Sequence, residues 1–350
     1  MLRNKVPDAD AKVRGFVMKP IVKKLKPIVL ILCIPMVIVS ISITAMGRSK
    51  KVPNLSGKMV YHSYTSYDAK DSKLYLYDFD SKEKVCLSDN FKNVYNAMNA
   101  EFKNDGTEIV FMGMNKTKGY EKWDVYTYNL QTQVVTNLTG KNDLRNEDPK
   151  YSSDGKKIVF KQGHWDANKD DMIYDIMELN LENKSLRNIT KDTKEDSMPF
   201  YSEDDKYVFY ARGDNSLSQI YKVDVNNYNN KEKVYSSSGV MAYYPIVKDN
   251  ALYFTKWYSK SNHTDMIMKM NLETNELESL KFNNKEYNCS DPCPLNDRYM
   301  ILSSTKGGAG YNLYIADMNK GKILPLDIEY SGINDGGEQL GASCYLESIG

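Results

Sequence analysis

Histidine is scarce in this 350-residue chain, and the three it has, His62, His164 and His263, lie far apart in sequence. A metal centre built on imidazole needs several ligands brought together, and no recognisable histidine cluster can be read from such spacing. No G-x-S-x-G stretch occurs, which removes the nucleophile elbow of an α/β-hydrolase. Phenylalanine is outnumbered by tyrosine, 10 to 27, and Asn, Asp and Ser are plentiful. That balance favours strands joined by polar turns.

Cysteine is also sparse. Of five, Cys33 falls in an apolar run, and Cys86, Cys289, Cys293 and Cys344 allow three connectivities. Cys289 and Cys293 stand too far apart to bridge if their segment is extended at about 3.3 Å per residue. Disulfides and buried free thiols both stay open, and Cys-x-x-x-Cys alone makes no metal site.

Long apolar runs are absent apart from one, PIVLILCIPMVIVSISITAM at 27–46, which carries no charge. As a helix it would be about 30 Å long, enough to cross a bilayer, and Pro35 is a break that membrane helices tolerate. A cleaved signal peptide competes with this reading, but the run is long, 26 residues precede it and no clear A-x-A site follows. The expectation is an uncleaved anchor. Lys19, Lys23, Lys24 and Lys26 crowd its N-terminal side, so the positive-inside rule puts the basic tail at 1–26 in the cytoplasm and the chain after 47–56, a linker, outside. Residues 1–51 hold eleven Lys or Arg against two Asp, +9, which leaves −8 on the rest of a chain whose net charge is +1. An acidic exterior domain argues against a nucleic-acid partner.

What the remainder has in abundance is repetition. KLYLYDF (73–79), DVYTYNL (124–130), DIMELNL (175–181), QIYKVDV (219–225), MIMKMNL (266–272) and NLYIADM (312–318) each alternate with period two and then give Asp or Asn. The alternation marks a half-buried strand, and Asp78, Asn129, Asn180, Asp224, Asn271 and Asp317 can each bond their own backbone to start a turn. The spacing of 44 to 51 residues suits a four-stranded unit. A second element precedes most cassettes: EFKNDGTEIVF, PKYSSDGKKIVF, PFYSEDDKYVFY, PIVKDNALYF and PCPLNDRYMIL read as hairpins, with Asp105-Gly106 and Asp154-Gly155 as the strongest turn signals. Five hairpins stand against six cassettes. The missing first strand is supplied by ASCYL (342–346), which would complete the first unit and close a ring without free edges.

EDPKYSSDGKKIVF followed by YDIMELNLENKSLRNIT resembles the WD40-like repeats of the TolB-like six-bladed β-propeller family. The resemblance covers 57–350 and implies an all-β six-bladed propeller; with the closing strand and the apolar run read above, the expected architecture is that propeller with its C-terminal strand closing the first blade, preceded by one N-terminal transmembrane helix. It implies a protein-binding hub of the cell envelope. The repeat is also similar to that of prolyl oligopeptidase-type peptidases and oligogalacturonate lyases, the latter implying a metal in the propeller pocket.

DANKDD (166–171) resembles a calcium loop, but Asp171 replaces the required Gly and Met177 stands where an acidic ligand belongs. The long loops after the second strands, HSYTSYDAKDS, KQGHWDANKDD, ARGDNS and TKWYSKSNHTD, share one face with the links between blades. They gather aromatics and cations, which nominates His164, Trp165, Arg212, Lys256, Trp257 and Tyr258 as a binding face; the competing reading has Trp165 and Trp257 packing between blades. The expectation is a membrane-anchored, outward-facing scaffold module with an envelope or membrane protein partner, or alternatively an envelope polysaccharide, and with no catalytic residue, metal or cofactor.

Overall fold

The computed structural model describes residues 52–116, 122–141, 143–167, 170–191, 194–214, 217–308 and 310–350. The expected membrane span at 27–46 lies outside these residues. Among those described, no helix is long and apolar enough to cross a membrane.

Among the described residues, twenty-four strands form six four-stranded antiparallel sheets. Blade 1 contains β1 (Leu55–Tyr64), β2 (Lys73–Asp78) and β3 (Glu83–Cys86). Blade 2 is β4 (Val94–Phe102), β5 (Glu108–Asn115), β6 (Trp123–Asn129) and β7 (Val135–Asn137). Blade 3 is β8 (Arg145–Tyr151), β9 (Lys157–Asp166), β10 (Asp171–Asn180) and β11 (Leu186–Asn188). Blade 4 is β12 (Glu195–Tyr201), β13 (Tyr207–Asp214), β14 (Leu217–Asp224) and β15 (Asn227–Tyr235). Blade 5 is β16 (Ala242–Lys248), β17 (Ala251–Ser259), β18 (Asn262–Asn271) and β19 (Leu277–Ser279). Blade 6 is β20 (Cys289–Pro294), β21 (Tyr299–Ser304), β22 (Asn312–Asp317) and β23 (Lys322–Pro325). The last strand, β24 (Glu338–Ile349), returns to pair with β1, with Met59 opposite Cys344 and Lys58 opposite Tyr345. The first and last strands of the propeller therefore close the ring as the sequence predicts, and β1 begins at Leu55, inside the stretch read as linker.

Each blade buries its middle strands on both faces, because blades stack against each other. β5 and β6 are buried along nearly their whole length, whereas the outermost β19 is exposed throughout. Each of the six junctions has its own apolar cluster. Val60, Leu74, Phe91 and Phe111 join blades 1 and 2, Val110, Tyr151 and Phe160 join 2 and 3, and Ile176, Tyr201 and Tyr210 join 3 and 4. Phe209, Phe254 and Met266 join 4 and 5, Tyr253, Cys289 and Leu302 join 5 and 6, and Ile315, Met59 and Tyr77 join 6 back to 1.

The turn residues act as their chemistry requires. The side chains of Asp78, Asn129, Asn180, Asp224, Asn271 and Asp317 each accept from backbone N–H groups two or three residues on. A further clasp recurs in blades 2 and 3. Asp124 accepts from Asn137 and Thr139, and Asp175 from Asn188 and Thr190, which ties the start of the third strand to the end of the fourth.

The Asp-Gly hairpins lie on the face opposite the long loops and link neighbouring blades. Ser153 donates to Asp205 through its N–H (2.7 Å) and hydroxyl (2.6 Å), and the N–H groups of Asp249 and Asn250 donate to Glu203. Gly106, at φ +67°, has the Tyr345 ring where a Cβ would stand, 2.6 Å away, so this turn packs directly on the closing strand.

Candidate functional site

The six innermost strands, β24, β4, β8, β12, β16 and β20, surround a central channel. Each is broken at the same place. The ladder to the second strand skips residues 99–100, 148–149, 198–199, 244–245, 291–292 and 341–342 in turn. The first residue of every pair is left-handed: Asn99 (φ 53°), Asp148 (52°), Met198 (52°), Tyr244 (51°), Asp291 (50°) and Gly341 (61°). In four blades the second residue is proline, which has no N–H to give to a ladder. Five of the six carry a Cβ into a conformation that costs about 1 kcal/mol or more each, and bulges of this kind re-aim side chains.

The ring encloses a cavity of about 60 Å³, bordered by Asn99, Asp148, Lys150, Tyr244, Asp291 and Gly341 among others. That is several times the ~10–15 Å³ needed by one water. Its walls are largely apolar, with Asp148, Asp291 and Lys150 as the charged groups, and Glu101 lies nearby on β4. Asp148 accepts from Asn99 Nδ2 at 2.7 Å, Asp291 accepts from Gly341 N at 3.4 Å, and Glu101 accepts from Tyr151 N at 2.7 Å. Enclosure by protein raises the pKa of all three carboxyls, and Lys150 pulls in the opposite direction on each.

His62 lies buried on β1 beneath this ring. Its Nδ1 accepts from Asn99 N at 3.4 Å, and its ring stands 2.8 Å from where a Cβ on Gly341 would be. Burial, with Lys150 adding to it, lowers its pKa to about 3, so the imidazole is neutral. On the loop side of the ring, Asp265 on β18 accepts from the hydroxyls of Tyr243 and Tyr311. Burial raises its carboxyl to about 6 despite those bonds.

The residues expected to form a binding face occupy three blades. His164 is half-buried on β9 and Trp165 beside it is 58% exposed. Lys256, Trp257 and Tyr258 follow one another on β17, where the Lys256 ammonium donates to the carbonyls of Trp257 and Tyr258, and Tyr258 is 45% exposed. Trp257 stacks on His263 with ring centroids 3.8 Å apart. Trp165 is thus solvent-facing, not packed between blades, as is Tyr258, while Trp257 is half-buried and stacks within its own blade. Arg212 is engaged elsewhere: its guanidinium forks onto the buried Asp196 with two 2.7 Å bonds and lies over Tyr210 and Tyr221. Met177, the twelfth position of the resembled calcium loop, is buried opposite Phe160 in the core and offers no ligand.

The channel ring was not singled out from sequence. Its residue types share nothing, and the only trace is the proline at 149, 199, 245 and 292.

No protein-family model matches the chain, and no curated protein matches it. Solved structures do. TolB from Acinetobacter baumannii aligns over 83% of this chain and 67% of its own at 16% identity with a TM-score of 0.63. A putative TolB from Agrobacterium tumefaciens aligns over 79% and 89% at 13% identity and 0.55. An oligogalacturonate lyase from Vibrio parahaemolyticus aligns over 77% and 78% at 15% identity and 0.53. Identities this low establish architecture: the chain has the six-bladed β-propeller fold of TolB-like proteins.

Proposed function

We propose that the propeller is a protein-binding module of a bacterial cell envelope, held at the membrane by residues 27–46 and facing outward. The observation that carries this reading is the distribution of exposed aromatics. Among the described residues the large aromatic side chains left exposed are Tyr67, Trp165 and Tyr258. All three stand on loops or strand ends of one face, on blades 1, 3 and 5. Aromatic anchors surrounded by polar surface are the usual core of a protein-recognition patch. Likeness of fold to TolB proteins supports the same reading.

The lyase-like alternative would use those aromatics to stack on sugar rings. Its chemistry fits less well, because the three histidines are on separate blades and His62 is sealed beneath Gly341. The test is a photo-crosslinking residue placed at 165 or 258, with 154 on the opposite face as control, in cells making the full chain. A discrete protein adduct from 165 and 258, lost when the other aromatic is changed to alanine, is expected. Saturable binding of an envelope polysaccharide without any protein adduct would replace this reading with the alternative.

A further inference from the structure

Two cysteines meet at the seam where the ring closes. Cys293 lies on β20, two residues past Asp291, and Cys344 lies on β24, three residues past Gly341. The bond from Gly341 N to Asp291 holds these neighbouring strands together within three residues of both thiols. Both side chains are half-buried against the apolar cluster between blades 6 and 1, near enough for each thiol to influence the ionisation of the other.

Their surroundings differ in a useful way. The two thiols ionise as a pair; beside the influence of Cys344, the Lys150 charge favours the thiolate at Cys293 and has no counterpart at Cys344. Cys293 is therefore placed to attack and its neighbour to resolve. Cys289 shows the contrast: it is fully buried against Ser304 and pushed up to about 12.

We propose that Cys293 and Cys344 are a modification site, forming a disulfide that staples the closing strand to blade 6 through exchange with a low-molecular-weight disulfide. The Cys293 thiolate attacks one sulfur of the oxidant, the oxidant's S–S bond breaks, and one thiol departs with the proton Cys293 gave up. Cys344, as thiolate, then attacks the Cys293 sulfur of the mixed disulfide. The second oxidant thiol leaves with the proton from Cys344. Two protein thiols are oxidised to one disulfide and one oxidant disulfide is reduced to two thiols. The cross-link closes a loop of about 50 residues, a size at which a disulfide restrains the unfolded chain substantially.

The experiment uses the full chain, purified reduced and then equilibrated with oxidised glutathione. The expected result is a mass loss of about 2 Da, a peptide map joining Cys293 to Cys344, and a Tm raised by roughly 5–10 °C. In the Cys344→Ser variant the glutathione adduct is expected to persist on Cys293. Both thiols remaining alkylatable at high oxidant, or a bond from either to Cys86 or Cys289, overturns the proposal. A persistent adduct on another cysteine in the Cys344→Ser variant overturns the assignment of Cys293 as the attacking thiol.

Discussion

Asn99 Nδ2 donates to the Asp148 carboxylate at 2.7 Å, joining the left-handed positions of two adjacent blades across the channel wall. A hydrogen bond to an enclosed charge contributes roughly 1.5–3 kcal/mol. Asn99→Ala is expected to lower the unfolding free energy by about that amount and to raise the Asp148 pKa further. Asp148→Asn, which removes the charge, should cost less. Denaturant unfolding of both variants and a carboxyl NMR titration check the order; equal losses would show that the bond is not what the wall depends on.

Arg212, nominated from sequence as a ligand contact, is expected to matter for folding. Its removal takes the guanidinium away from the buried Asp196 carboxylate, and breaking a buried ion pair in this way costs about 3–5 kcal/mol. Arg212→Ala should shift the urea midpoint strongly, whereas Trp165→Ala should leave it nearly unchanged. A small effect of Arg212→Ala on the midpoint would return that residue to the binding face.

His62 should stay neutral in the folded protein well below the pH at which free histidine titrates, with ring NMR shifts constant down to pH 4.5. The folded pKa of about 3 lies below the ordinary 6.5, so its contribution to stability is complete above pH 6.5 and is lost as pH falls towards 3. The slope is at most about 1.4 kcal/mol per pH unit. His62→Gln removes that slope, and an unaltered stability profile in the variant would contradict the assignment.

Asp265 works the other way. Its carboxyl, at about 6 against an ordinary 3.8, binds its proton more tightly in the folded state, so its contribution favours folding below pH 3.8 and is lost as pH rises through 6. The full effect is about 3 kcal/mol. In the interval from pH 4 to 6 the His62 and Asp265 slopes oppose each other and largely cancel. Asp265→Asn should expose the His62 slope, giving a steeper loss of stability in acid than the parent protein shows; an identical acid limb in the two proteins contradicts this coupling.

Gly341→Ala is expected to cost about 2–4 kcal/mol, because a Cβ would strike the His62 ring and the backbone is left-handed there. Thermal unfolding measures it, and rescue by His62→Ala would separate the steric cause from the backbone one.

The strands, the Asx turns and the closing strand were legible because each is written locally. Period-two alternation ends at an Asp or Asn six times over, and a strand without a hairpin partner stands at each end of the propeller. The channel ring was not legible, since Asn99, Asp148, Met198, Tyr244, Asp291 and Gly341 are alike in backbone and unlike in side chain. Arg212 was misplaced for a related reason. Its partner Asp196 lies sixteen residues back on the innermost strand, and only the register Asp196↔Arg212 brings them together. Trp165 and Tyr258 could be placed on the long-loop side from sequence, but their exposure depended on how neighbouring blades pack.

Blade 1 takes three strands from the start of the propeller and its innermost strand from residues 338–349. During synthesis, blades 2 to 6 can be completed while blade 1, with three of its four strands, waits with its inner edge bare and the channel wall open on one side. The ring is finished only when residues 338–349 pair with β1, and until then the inner edge of β1 presents unpaired backbone groups.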